Sequence, residues 1–142
     1  MADQENRKRD VPCPDGLRIL VVDDHEDTAE MLNLAVSSKG HKVRVAHDAA
    51  VALRICAEFQ PDVALLDIGL PVMDGYQLAT QLRQLPGLEE VRIVAVTASG
   101  EPIDRGRSRI GGFDRHLVKP IDLDALERIL CSIESEISTR RR

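Results

Sequence analysis

Apolar positions along the chain fall into two kinds of pattern. ILVV (19–22), VALL (63–66) and IVAV (93–96) are apolar without alternation, as strands buried on both faces should be. HKVRVA (41–46) alternates, and FDRHLV (113–118) is a fifth short run, so five strands are predicted. Between them apolar residues recur at helical spacing. HEDTAEMLNLAVSSKG puts Met31, Leu32, Ala35 and Val36 on one face, with Gly40 where a helix C-cap belongs. DAAVALRICAEFQP is a second helix, stopped by Pro61 because proline disfavours helix at the residue before it. DGYQLATQLRQL is a third, a weak fourth spans 101–111, and a fifth spans 124–137. This last helix opens with Asp124 and Glu127 at capping-box spacing, and carries Leu126, Ile129, Leu130, Ile133 and Ile137 at helical intervals.

Strands alternating with helices predict an α/β domain, a parallel sheet covered by helices on both faces. Right-handed crossovers then bring every strand C-terminus to one edge, where ligands bind in open sheets of this kind. The domain is expected over 16–138. Residues 1–15, polar and holding Pro12 and Pro14, read as a flexible tail, and 139–142 as a basic C-terminal tail. The STRRR ending reads as a solvated helix end or linker, not a nucleic-acid contact.

Composition narrows the picture. The 142 residues suit one domain, and 43% hydrophobic with 30% charged residues is a globular balance. The only aromatics are Phe59, Tyr76 and Phe113, so the core must be aliphatic. A net charge of −5 argues against nucleic acid as a partner. No apolar run approaches the roughly 20 residues that span a bilayer, and the N-terminus lacks a leader's apolar segment. The expectation is a cytoplasmic protein with no membrane contact. Cys13, Cys56 and Cys131 have no paired spacing and read as reduced; His25, His41, His47 and His116 form no zinc motif.

Chemistry gathers at the strand ends. The first strand ends in Asp23 and Asp24, the third in Asp67, the fourth in Thr97 and the fifth in Lys119-Pro120. Two carboxylates 4 Å apart at an effective dielectric of 20 repel by about 4 kcal/mol, so such a cluster takes up protons or a cation. Oxygen donors favour Mg²⁺ or Mn²⁺, and the loop at Gly69 offers a further backbone carbonyl. Lys119 and Thr97 suit a phosphoryl group, and a carboxylate can attack phosphorus.

Asp23-Asp24, Asp67, Thr97-Ala98 and Lys119-Pro120, with the loop DIGLPVMDGY, resemble the receiver domain of two-component response regulators over about residues 17–138. The resemblance implies a doubly wound, flavodoxin-like sheet of order 2-1-3-4-5. It implies that Asp67 accepts a phosphoryl group from a histidine kinase or phosphotransfer protein. Asp23, Asp24, Asp67 and the Gly69 carbonyl would hold Mg²⁺ (or Mn²⁺). Lys119 would pair with phosphoryl oxygens, Thr97 would rotate towards them, and Ala98 would leave room. Such a domain is a signalling module, not a turnover enzyme. It passes its state to a downstream protein as a monomer or a phosphorylation-dependent dimer. His116 stands where the family usually has a switching Tyr or Phe, and is smaller and titratable. The ending HLVKP is closer to receivers of hybrid kinases and phosphorelays than to those of DNA-binding regulators.

Bland readings exist for each part. The aspartates could cap the first helix, Asp74-Gly75 is turn and cap chemistry, and Leu70, Val72 and Met73 are packing residues. A haloacid-dehalogenase-type hydrolase also uses a strand-end aspartate, but needs a second acid two residues on, where this chain has Gly69. An interaction domain without phosphorylation would not need the full acid, threonine and lysine set. The segment 101–112, with Gly106, apolar anchors Ile103 and Ile110, and Arg105, Arg107 and Arg109, is the expected moving part and docking surface.

Overall fold

The computed structural model describes residues 16–68, 75–97 and 113–140. The expected tail over 1–15 with Cys13, the loop from Gly69 to Asp74, Ala98, the helix expected over 101–111 and the last two residues lie outside it. The described elements are β1 (Arg18–Val22), α1 (Glu26–Ser37), β2 (Lys42–Ala46), α2 (Ala49–Phe59), β3 (Val63–Asp67), α3 (Gly75–Gln84), β4 (Arg92–Thr97), β5 (Arg115–Val118) and α4 (Leu123–Arg140).

All strand pairs are parallel and the order is β2-β1-β3-β4-β5, as expected. The three unbroken apolar runs are the three inner strands, and β3 is buried along its whole length. Alternate residues of these strands feed two cores. Leu20, Val22, Ala64, Leu66 and Ile93 pack with Ala52 and Cys56 of α2 and Leu78 and Leu82 of α3. Ile19, Val21, Val63, Leu65 and Val94 pack with Leu32 and Val36 of α1 and Leu126, Leu130 and Ile133 of α4. Burial pushes the Cys56 thiol up to about 12, so it behaves as a small apolar side chain.

The helix ends refine the expectations. The buried stripe of α1 is Ala29, Leu32 and Val36; Met31 is exposed instead, because the stripe follows the three-four spacing of the face on the sheet. Ser38 is the C-cap of α1, and Gly40, at φ 94°, turns the chain two residues later. Asp48 caps α2 by accepting from the Val51 N–H at 2.9 Å. Gln60 ends that helix in a left-handed conformation just before Pro61. α4 begins earlier than expected and runs to Arg140. Its cap is Asp122, whose Oδ1 accepts from the Asp124 N–H at 2.9 Å, so Asp124 is a first-turn acid and not the cap.

One polar pair sits inside the α1–α4 face. His41 accepts the Leu17 N–H on Nδ1 at 3.0 Å, and its Nε2 lies 3.8 Å from the buried Glu134 carboxylate. At the strand N-terminal end, Glu136 takes Arg92 and Arg115 together, which holds its carboxyl below the usual range. Asp23, Asp67, Thr97 and Lys119 are left at the opposite, C-terminal edge.

Candidate functional site

β1 ends one residue before Asp23, β3 ends on Asp67, β4 ends on Thr97, and β5 ends one residue before Lys119. The register explains how they meet. Asp67 pairs with Val96, the residue before Thr97, and Thr97 pairs with Val118, the residue before Lys119. Asp67, Asp23 and Thr97 are buried, whereas Asp24 is on the rim.

Lys119 joins the two inner acids. Its Nζ lies 3.0 Å from Asp23 Oδ2 and 3.3 Å from Asp67 Oδ2. Burial alone would pull the ammonium pKa down. Hydrogen bonds and charge from Asp23 and Asp67 outweigh it, and the pKa is raised. The lysine stays a cation between two carboxylates. Its N–H donates to the Thr97 carbonyl at 2.8 Å, and the Lys119-Pro120 peptide is cis.

Asp23 and Asp24 do not cap α1. The N-cap position is His25, and no side chain caps it. Asp23 Oδ1 instead accepts the His25 N–H at 2.8 Å, which fixes the carboxylate with one oxygen towards His25 and the other towards Lys119. The His25 ring was absent from the expected site, yet its Nδ1 lies 3.1 Å from Asp23 Oδ1 and 3.3 Å from Asp24 Oδ1. Donor atoms of Asp23, Asp24, His25 and Asp67 all fall within 4.8 Å of one another. The sequence signal was the direct succession D-D-H, which no zinc spacing rule examines. His47 adds a ring nitrogen 3.1 Å from the Asp23 carbonyl.

Thr97 Oγ1 sits 3.5 Å from the Leu117 carbonyl, a long contact that leaves the hydroxyl weakly held. His116 is exposed on the outer strand, edge-on to the Phe113 ring at 5.9 Å, and Phe113 stacks on Tyr76 at 5.2 Å. Partial burial lowers the His116 pKa. Phe113, just before β5, therefore links that strand to α3. Gly69 and Ala98 lie outside the described residues.

Behind Asp67, Ile68 turns the chain towards α3. The Gly75 N–H donates to the Ile68 carbonyl at 3.1 Å, and a Cβ on Gly75 would stand 2.6 Å from Ile68 Cα. Only glycine allows this approach.

The model of the response regulator receiver domain family matches residues 19–130. The chain belongs to that family. Among relatives of this receiver, the sensor histidine kinase RcsC of Salmonella typhi is 35% identical over 127 residues, 89% of this chain and 13% of that protein. The chain thus spans only a small part of such kinases. An uncharacterised 14.6 kDa protein of Leptolyngbya boryana is 36% identical over 112 residues, 79% of this chain and 86% of that one. The receiver domain of a sensor histidine kinase of Pseudomonas aeruginosa, with a magnesium ion coordinated in its active-site cleft, is 30% identical with a TM-score of 0.75. That match covers 84% of this chain and 98% of the other. Receivers of this family partner with histidine kinases or phosphotransfer proteins in two-component signalling, and act as switches. Among the described residues no helix is long and apolar enough to cross a membrane.

Proposed function

We propose that Asp67 is the phosphoacceptor of this receiver, loaded by a histidine kinase or a phosphotransfer protein and read by a downstream protein. The observation that carries this reading is Lys119, held as a cation between Asp67 and Asp23 at the sheet edge. An Asp67 carboxylate oxygen forms a bond to phosphorus as the phosphohistidine P–N bond breaks, and the imidazole keeps the electron pair. The product is an acyl phosphate, and Lys119 moves its ammonium onto the new phosphoryl oxygens. Thr97, buried and weakly bonded, is free to turn its hydroxyl towards them. With its ring in contact with Phe113, His116 would register that change at the outer strand.

The donor set fits a divalent cation, since three carboxylates crowd one rim and Lys119 alone cannot neutralise them. Asp23, Asp24 and Asp67 would hold Mg²⁺ or Mn²⁺, with the Gly69 carbonyl a further donor. Such an ion supplies charge neutralisation for the incoming phosphoryl oxygens.

The test uses acetyl phosphate with Mg²⁺ and intact-mass measurement. One phosphoryl group is expected on the protein, removable by hydroxylamine, and none on Asp67→Asn. Labelling of that variant at the wild-type rate would sink the assignment.

A further inference from the structure

We infer that His25 is a nitrogen ligand of the cation pocket, and that it tunes the pocket towards later first-row ions such as Co²⁺ over Mg²⁺. This rests on the reading of Asp23, Asp24 and Asp67 as a divalent-cation site, and it concerns which ions that site prefers. Three observations converge on it. The imidazole Nδ1 lies within 3.3 Å of both Asp23 Oδ1 and Asp24 Oδ1, and 4.0 Å from Asp67 Oδ2. It therefore lies within reach of all three acids, nearest to Asp23 and Asp24.

The backbone puts it there. His25 sits at the N-cap of α1 in an extended conformation (φ −89°, ψ 110°), and its ring makes no capping bond. Its own N–H is spent on Asp23 Oδ1 at 2.8 Å, so residue and acid are locked as one turn. The two sides of Asp23 are also divided. Oδ2 faces Lys119 at 3.0 Å, and Oδ1 faces the ring. A cation entering from solvent meets Asp23 Oδ1, Asp24 Oδ1 and His25 Nδ1 on the side away from the lysine.

The chemistry then follows from donor softness. Carboxylate and water suit Mg²⁺ and Mn²⁺, while imidazole favours later first-row metals, and affinity climbs from Mn²⁺ towards Cu²⁺. Replacing an oxygen or a water by Nδ1 steepens that climb. The side chain is two-thirds exposed, 67%, so it can swing aside for Mg²⁺ at little strain.

The test uses Mn²⁺ as its probe. Bound to the wild-type protein, Mn²⁺ should show nitrogen hyperfine coupling in its electron spin-echo modulation. His25→Asn, which keeps a good helix N-cap, should still bind Mn²⁺ but lose that coupling. Its Co²⁺ affinity, measured by dye competition, should fall roughly tenfold or more while Mg²⁺ affinity changes far less. Asp23→Asn should abolish the Mn²⁺ signal and so locate it. Mn²⁺ bound without nitrogen coupling, or an unchanged Co²⁺-to-Mg²⁺ ratio in His25→Asn, would overturn the inference and leave the acidic site intact. Failure of wild type to bind Mn²⁺, or its persistence in Asp23→Asn, would remove the underlying cation reading as well.

Discussion

A single buried ring ties pH to stability in this protein. His41 accepts the Leu17 N–H on Nδ1, so that nitrogen needs its lone pair and the ring must be neutral. Burial lowers its pKa, and at 3.8 Å the Glu134 carboxylate is too distant for a hydrogen bond that would reverse this. The unfolded chain, with His41 near 6.5, then binds more protons than the fold at mildly acidic pH. The stabilisation is full above 6.5 and is lost as the pH falls from there towards the folded value. His41→Asn keeps an acceptor but cannot titrate. Urea unfolding between about pH 5 and pH 8 should give it a flatter profile than wild type, by at most about 1.4 kcal/mol per pH unit. Equal slopes would refute this. Asp67 and Lys119 were legible in the sequence because a charge at the tip of an apolar run is anomalous. Glu134 was not, because an acid in an amphipathic helix reads as solvent-facing until the helix is docked. His25 became a site residue only when the turn after Asp24 aimed its ring.

At the level of elements, α3 is seated by the contact of Gly75 with Ile68, the residue after Asp67. Gly75 opens α3, where alanine's advantage over glycine, about 1 kcal/mol in a helix interior, counts for less. Here the added methyl meets backbone that cannot move aside, so Gly75→Ala should lose about 1–3 kcal/mol. Chemical denaturation gives the sign, and acetyl phosphate labelling should slow in parallel because Ile68, the residue after Asp67, is displaced. A stabilised variant would show that α3 shifts freely. Element types were readable because their apolar runs keep one period throughout. Their ends were less so. Asp122 and Asp124 both satisfy cap chemistry locally, and only the Asp122 position puts its carboxylate on two free N–H groups. Met31 matched the helical spacing, but the sheet takes the face centred on Leu32 and Val36.

For the whole molecule, the acids that an ion would join lie at the ends of separate strands, just after β1 and at the tip of β3, and are gathered only by folding. Mg²⁺ should therefore raise the melting temperature, by a stabilisation of about 2.7 kcal/mol at a hundred times Kd. Asp23→Asn should blunt the response in a Mg²⁺ titration followed by differential scanning fluorimetry. A wild-type melting temperature indifferent to Mg²⁺ would count against a three-carboxylate site. Handedness and apolar runs pointed to a parallel sheet with its chemistry at one edge. The order of strands came from family resemblance alone, since no periodicity says which strand lies beside which.

The outer strand β2 has a consequence for how copies of the molecule meet. It ends the sheet, and Lys42 and Arg44 alternate along it, Arg44 standing over the Phe59 ring at 5.6 Å. Two molecules approaching edge to edge would bring these cations together, while the backbone groups between them invite pairing. These two side chains, which take no part in the site, would thus oppose edge-to-edge assembly. Lys42→Thr with Arg44→Thr would keep the strand's β preference and strip its repulsion. Light scattering of concentrated samples should then show assemblies that grow with added salt in wild type and form without it in the variant.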